Sequence, residues 1–167
     1  MPQKQRRHSL KSKQAKQILN EISERIKFNV EALFGSKPNV EIVESEAGNV
    51  YLVNDKPLFF NVEEKVLPTL LFQDFIARAP KIVVDMGAVP YMCNGADVMA
   101  PGIVRIEGEF GKGDLVLVVD EKHGKPLALG ESLYDAASVG STKQGAVVKN
   151  VHFVSDKIWN FIKTLVG

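Results

Sequence analysis

The sequence predicts an α+β protein with two domains, an α+β unit over residues 1–79 and a small mixed-strand barrel over residues 80–167. An amphipathic helical pattern followed by alternating, strand-like segments predicts the first domain. Pro80 marks a change, after which short strands recur about every 8–20 residues with turn glycines, as in small barrels. The 167 residues, 45% of them hydrophobic, are enough for two small domains.

The first predicted element is a helix. Apolar residues between Ala15 and Phe34 recur at spacings of three and four, with Ser12 as a suitable N-cap and Gly35 as the terminating residue. The pattern fits one helix over residues 13–34 and fits equally well two shorter helices that meet near residues 24–27.

Strands and a second helix complete the first domain. Alternating apolar residues predict three strands, at residues 40–44, 50–53 and 58–62. The last two are joined by a turn at residues 54–57. Residues 66–77 are predicted to form a helix, in which Pro68 is tolerated because it lies in the first turn.

The second domain is predicted to be mostly strands. Five are expected, at residues 81–84, 103–106, 115–119, 126–133 and 146–153. Residues 87–94 form a helix or helical turn, and Ser155 or Asp156 caps a final amphipathic helix. The glycine-dense segment 108–114 lacks the spacing of a phosphate-binding loop, and we expect a hairpin turn there.

No catalytic or metal-binding pattern is found, so we expect a protein without enzymatic activity, metal or cofactor. Cys93 is the single cysteine, and the three histidines lie far apart in the sequence. Adjacent acids such as Glu63 and Glu64 lie at strand ends, where neighbours point to opposite faces and cannot act as an acid/base pair. The basic amino terminus lacks the apolar region of a secretory signal, and we expect a cytoplasmic protein.

The charge is unevenly distributed along the chain. The formal net charge is +1, yet residues 1–16 contain six basic residues and no acid. These basic residues are Lys4, Arg6, Arg7, Lys11, Lys13 and Lys16. Such a basic arm indicates contact with RNA or the ribosome, because each cation that neutralises a phosphate releases counterions. A solvated, frayed terminus and, more weakly, a nuclear-localisation signal fit the same composition.

The segment over residues 84–103 is the most informative part of the chain. Gly87, Gly95 and Gly102 leave backbone N–H groups accessible to another chain, and such amides suit phosphate oxygens. The same glycines also suit the tight turns of a barrel. Spacing alone does not decide between these interpretations.

The motifs of this segment continue beyond it. They comprise Asp85, Gly87 and Ala88, the run from Gly95 to Ile103 (GADVMAPGI), Gly113-Asp114 before a strand, Gly130 and Gly145. This pattern resembles the signature of the PUA domain, named for pseudouridine synthases and archaeosine transglycosylases, over residues 80–155. The resemblance implies an RNA-binding pseudo-barrel of the kind found in RNA-modifying enzymes and translation factors.

The first half of the chain and its last residues extend the resemblance. The matching motifs are DKPLFF at 55–60, PTL at 68–70, and His152-Phe153 followed by Asp156 and Trp159. They resemble the malignant T-cell amplified sequence family, whose pre-PUA domain precedes a PUA domain. The resemblance implies a role in translation, with tRNA or rRNA, the small ribosomal subunit and a translation factor as partners. The compact length and basic start resemble archaeal members.

The resemblance also implies which residues contact RNA. They are Gly87, Ala88, Tyr91, Gly95, Ala96, Met99, Gly102, Lys149 and His152. Tyr91 would stack a base if exposed, and glycine amides would bind phosphate. Ala88, Ala96 and Met99 suit a barrel core equally well.

Two other functions fit the sequence. The chain would be a non-catalytic subunit that delivers RNA to a tRNA or rRNA modification system, or a protein-interaction module whose groove is closed.

Overall fold

A computed structural model describes residues 6–166. They divide into two compact units: unit 1 runs to Phe72 and resumes at Asn160, and unit 2 is Gln73–Trp159. The boundary predicted between residues 79 and 80 falls inside unit 2 of this division and stays a prediction. Among the residues described, no helix is long and apolar enough to cross a membrane.

Unit 1 begins with two helices rather than one. Helix α1 is Ser12–Ile26 and helix α2 is Glu31–Phe34. Lys27 adopts a left-handed conformation (φ 63°), which ends α1, so the two-helix interpretation is confirmed. The predicted cap at Ser12 is wrong by one residue. Lys11 is the N-cap, with extended backbone and its N–H directed to Gln14 Oε1 at 3.4 Å.

A five-stranded antiparallel sheet accompanies these helices. Its strands, in spatial order, are β1 Arg6–Ser9, β2 Val40–Ser45, β3 Gly48–Val53, β4 Lys56–Val62 and β5 Lys65–Pro68. Asn54 and Asp55 have positive φ values of 50° and 71°, the geometry of a two-residue hairpin turn. Aromatic rings fill the core, with Phe59 edge-on to Phe72 at 5.3 Å between ring centroids.

Two elements of unit 1 differ from the prediction. Residues 6–9 pair with β2 as strand β1, whereas we expected a basic arm. Residues 65–68 form strand β5, not the start of a helix, because Glu63 (φ 56°) reverses the chain and brings Leu67 opposite Phe60. Val66 and Leu67 are buried there, and the helix predicted over residues 66–77 is present only as α3 Gln73–Arg78, at the start of unit 2.

Unit 2 contains a six-stranded mixed sheet. Its strands are β6 Lys81–Val84, β7 Val98–Met99, β8 Ile103–Glu107, β9 Leu115–Asp120, β10 Pro126–Ser132 and β11 Ala146–Phe153. The spatial order is β7-β11-β10-β9-β6-β8. Short helices connect them: α4 Val89–Met92, a 3₁₀ turn Ala100–Gly102 and α5 Ala136–Ser141, the last of which was not predicted. The predicted α+β class is confirmed.

The segment 108–114 is not the hairpin turn that we expected. Strand β6 pairs antiparallel with β8 and parallel with β9, so β6 lies between the two strands that this segment joins. The segment is therefore a crossover loop. Gly108 is required in it, because φ is +92° and a Cβ would approach Pro80 to 3.2 Å.

The core of unit 2 is built around β9, in which every residue is buried, as its continuous apolar run indicates. The final helix, α6 Lys157–Val166, is capped by Asp156, whose Oδ1 accepts the Trp159 N–H at 2.7 Å. Asp156 Oδ2 lies 2.8 Å from Nδ1 of His152, which is fully buried. Burial opposes ionisation, yet the hydrogen bonds from His152 and from backbone N–H groups keep the pKa of Asp156 below its ordinary value.

Candidate nucleic-acid interface

A cleft of about 380 Å³ opens in unit 2. Its lining comes from the end of β6, from α4 and from the chain that runs through β7 into the 3₁₀ turn. The lining residues are Val84, Asp85, Gly87, Ala88, Tyr91, Met92, Ala96, Asp97, Val98, Met99, Pro101 and Gly102. Most of this surface is apolar side chain or glycine backbone, and one consecutive stretch of sequence supplies all of it.

Asp85 organises one wall of the cleft. Its backbone N–H donates to the Gly102 carbonyl at 3.0 Å, and its Oδ1 accepts the Ala88 N–H at 2.9 Å. The second bond turns the chain into α4, where Pro90 occupies the first turn. A Cβ on Gly102 would lie 3.5 Å from the Ala88 Cβ, so the two sides of the cleft approach closely here.

Asn150 fixes the opposite wall. Its Nδ2 donates to the carbonyls of Met92 and Ala96, each at 3.1 Å, and its backbone N–H donates to Asp97 Oδ1 at 3.0 Å. These three bonds attach the chain between α4 and β7 to strand β11. The role of Asn150 could not be predicted from the sequence, because a polar residue in an alternating strand gives no sign of which loop it will bind.

Tyr91 and Met99 are exposed on the rim of the cleft. Their exposed fractions are 66% and 51%, unusually high for large apolar side chains that line a cavity. Ala88 and Ala96 face the cleft and also pack against the unit 2 core, whereas Met99 is not a core residue. The rim therefore offers an aromatic face and a flexible thioether to a ligand.

Six of the nine predicted RNA-contacting residues of the second domain line the cleft. They are Gly87, Ala88, Tyr91, Ala96, Met99 and Gly102. The structure does not bring Gly95, Lys149 or His152 into the lining.

Each of these three has a different environment. Gly95 has φ +89°, and a Cβ there would meet the Phe153 ring at 3.0 Å, so this glycine shapes the loop. Lys149 is exposed on β11. The His152 side chain is 0% exposed and its Nδ1 lies against Asp156, so, contrary to the prediction, its ring is not on the surface that RNA would contact.

Arg7, one of the six basic residues of the predicted arm, is paired with acidic side chains. Arg7 lies on β1, where Nε and Nη2 donate to the two Glu41 carboxylate oxygens at 2.7 and 3.0 Å. Nη2 also donates to Asp55 Oδ1 at 3.2 Å. This fork-to-carboxylate hydrogen bonding raises the pKa of Arg7 and lowers that of Glu41. Arg7 is thus paired with two acidic side chains within unit 1, and its contact with phosphate stays a prediction.

Four of the other five basic residues of the arm are exposed to solvent. Lys4 lies outside the described residues. Side chains exposed to solvent are those of Arg6, Lys11, Lys13 and Lys16. Within residues 6–166, no group of three or more His, Cys, Asp or Glu side chains is placed to hold a metal ion.

Comparison with known proteins matches both halves of the chain. Residues 80–154 match the PUA domain, and residues 6–73 match a domain of unknown function, DUF1947. A solved structure of a hypothetical protein from Pyrococcus horikoshii superimposes with a TM-score of 0.79 at 34% identity, covering 94% of this chain and 99% of that one.

Relatives match along most of their length. An uncharacterized protein of Methanocaldococcus jannaschii is 39% identical over 93% of this chain and 96% of its own. Translation machinery-associated protein 20 of Eremothecium gossypii is 30% identical, over 92% and 86% respectively. Malignant T-cell-amplified sequence 1 of Danio rerio is 28% identical, over 74% and 72%. The chain belongs to the family of two-part PUA-domain proteins that includes translation machinery-associated protein 20 and malignant T-cell-amplified sequence 1.

Proposed function

We propose that this protein binds structured RNA in the unit 2 cleft and acts, without catalysis, in translation. The observation that carries the proposal is the open cleft itself, in which glycine backbone lies beside an exposed tyrosine within the PUA-matching segment. The names of relatives that cover most of the chain, translation machinery-associated protein 20 above all, favour translation as the process.

The cleft suits an unpaired nucleotide. A base that leaves its stack gains roughly 1–3 kcal/mol from stacking on an aromatic side chain, and Tyr91 offers its ring at 66% exposure. Gly87 and Gly102 have no side chains to block close approach of a nucleotide to the backbone. The bonds from Asn150 hold one wall in place before binding, which lowers the entropy cost of ordering the site.

Unit 1 would supply a second contact. The exposed cations of its first 16 residues include Arg6, Lys11, Lys13 and Lys16, which would supply the general attraction to phosphate that the cleft lacks. We propose rRNA of the small ribosomal subunit, or a translation factor bound to it, as the partner of this surface. A tRNA acceptor end is the proposed RNA for the cleft.

The proposal that RNA binds in the cleft is tested by replacing single tyrosines. Tyr91→Ala should weaken binding of a fluorescein-labelled tRNA about tenfold, measured by fluorescence anisotropy, because it removes the stacking surface. Tyr134→Ala is the matched control, since Tyr134 is 44% exposed in the same unit but does not line the cleft. Equal affinities for both variants and the unchanged protein would refute the proposal that the cleft binds RNA.

The proposed role in translation is tested by co-sedimentation with ribosomal subunits. We expect the protein to migrate with purified small ribosomal subunits in a sucrose gradient, and to leave them when Arg6, Lys11, Lys13 and Lys16 are all changed to Gln. Recovery with an RNA-modifying enzyme, and not with ribosomal subunits, would favour the RNA-delivery function instead.

A further inference from the structure

The side chains that line the unit 2 cleft and are charged at neutral pH are both carboxylates. Asp85 and Asp97 belong to the lining, and no Lys, Arg or His does. Each carboxylate uses Oδ1 to accept a backbone N–H, from Ala88 and Asn150 respectively. Within the part of the chain described, Oδ2 of either residue has no hydrogen-bond partner. The cleft therefore presents two negative charges, each with acceptor capacity to spare.

This arrangement discriminates between the parts of a nucleotide. A phosphate in a cleft that two carboxylates line is repelled by them, and the repulsion is stronger beside an apolar surface than in open water. A carboxylate oxygen accepts strong hydrogen bonds from hydroxyl and amino groups. Ribose hydroxyls and exocyclic amino groups of bases are such donors, and a base also has the face that Tyr91 can stack.

We propose that the cleft selects the uncharged part of an unstacked nucleotide, its base and ribose, and keeps the phosphates outside. Asp97 is the specificity-determining residue, because it is exposed, lines the cleft and is held in place by the Asn150 N–H. This inference rests on the proposed RNA-binding function and identifies which part of the RNA enters. It replaces the expectation that the glycine amides of the cleft bind phosphate.

The inference is tested by whether one substitution in the cleft raises or lowers the affinity for tRNA. Asp97→Asn keeps the shape and an acceptor for the Asn150 N–H but removes the charge. If Asp97 accepts a hydrogen bond from the nucleotide, tRNA affinity falls about threefold to tenfold, because a charged acceptor becomes a neutral one. If phosphate enters the cleft, the same change raises affinity, because it removes repulsion.

Glu109→Gln is the control for general electrostatics. Glu109 is exposed in unit 2 and does not line the cleft, so its substitution should leave affinity unchanged or raise it slightly. An Asp97→Asn protein that binds tRNA as tightly as the Glu109→Gln protein, or more tightly, would overturn the inference. Failure of the unchanged protein to bind tRNA would instead defeat the proposed function.

A second measurement uses the unchanged protein, so it does not depend on how a variant folds. Amide shifts in two-dimensional ¹⁵N NMR spectra are followed during titration with adenosine, adenosine 5′-monophosphate or inorganic phosphate. We expect adenosine to shift Gly87, Tyr91 and Gly102, the monophosphate to bind at least about threefold more weakly, and phosphate to leave them unchanged. Tighter binding of the monophosphate, shifts with phosphate alone, or no shifts with adenosine would each contradict the inference.

Discussion

At the scale of single residues, neighbouring glycines of the cleft segment have different roles. Gly87 and Gly102 line the cleft. Gly95 has a left-handed backbone conformation, and any side chain at this position would clash with the Phe153 ring. All three were predicted to contact RNA, since the sequence does not distinguish a glycine that opens a surface from one that shapes a turn. His152 was predicted with them, and its burial beside Asp156 could not be read from an alternating strand.

The pair formed by His152 and Asp156 leads to a prediction about pH. The pKa of Asp156 is lowered in the folded protein, so its contribution to stability is present above the carboxyl's ordinary value and is lost as the pH falls through the folded value. Asp156→Asn keeps an N-cap for α6 but removes the charge. It should lower the free energy of unfolding by about 1–2 kcal/mol at pH 7.

Thermal melts followed by circular dichroism at several pH values check this prediction. The difference between the Asp156→Asn protein and the unchanged protein should close as the pH falls below about 4. The Glu109→Gln protein, which alters an exposed acid, should show little difference at any pH. A difference that stays constant down to pH 2 would mean that Asp156 stabilises α6 without its charge.

At the scale of elements, the sequence predicted those that depend on the local residue pattern. It did not predict those that depend on which strands pair with each other. The buried run of β9 and the turn at Asn54 and Asp55 are local and were predicted. The pattern at Val66 and Leu67 predicts a helix but suits a strand as well, and only pairing with β4 makes this segment strand β5. The turn glycines of residues 108–114 predict a hairpin, because they do not reveal that β6 separates the strands they join.

The Asn150 side chain gives a prediction at this scale, because it joins β11 to the loop after α4. Asn150→Ala removes the amide bonds to Met92 and Ala96 and should cost about 1–3 kcal/mol of stability. RNA affinity should fall as well, because the wall of the cleft is no longer held in place. Faster hydrogen exchange at the Ala96 amide, measured well below the melting temperature, would report the loosened loop.

The matched control for Asn150 lies in unit 1. Asn61 also donates from its side-chain amide, to the Tyr51 hydroxyl at 2.9 Å, so Asn61→Ala removes a comparable bond far from the cleft in sequence. This variant should lose stability and keep its RNA affinity. If both variants weaken RNA binding equally, the role of Asn150 is general stability and not the positioning of the cleft.

At the scale of the whole molecule, the exposed cations near the amino terminus and the carboxylates of the cleft belong to different units. Unit 1 presents exposed cations at Arg6, Lys11, Lys13 and Lys16. Unit 2 presents a cleft in which the side chains charged at neutral pH are the carboxylates of Asp85 and Asp97. General attraction to RNA and selection of a nucleotide are thus assigned to different parts of the chain. Six of the residues that the family motifs indicate as RNA contacts line the cleft, but that Asp85 and Asp97 line it with them became evident only from the folded chain.

Mapping bound RNA onto the protein tests the central claim most directly. The measurement is the change in ¹⁵N-amide NMR signals of the full chain on addition of unlabelled tRNA. We expect the largest changes within unit 2 at Gly87, Tyr91, Met99 and Gly102, the residues of the open cleft. Saturable tRNA binding that leaves these four signals unmoved, with changes only at other surfaces, would contradict the account.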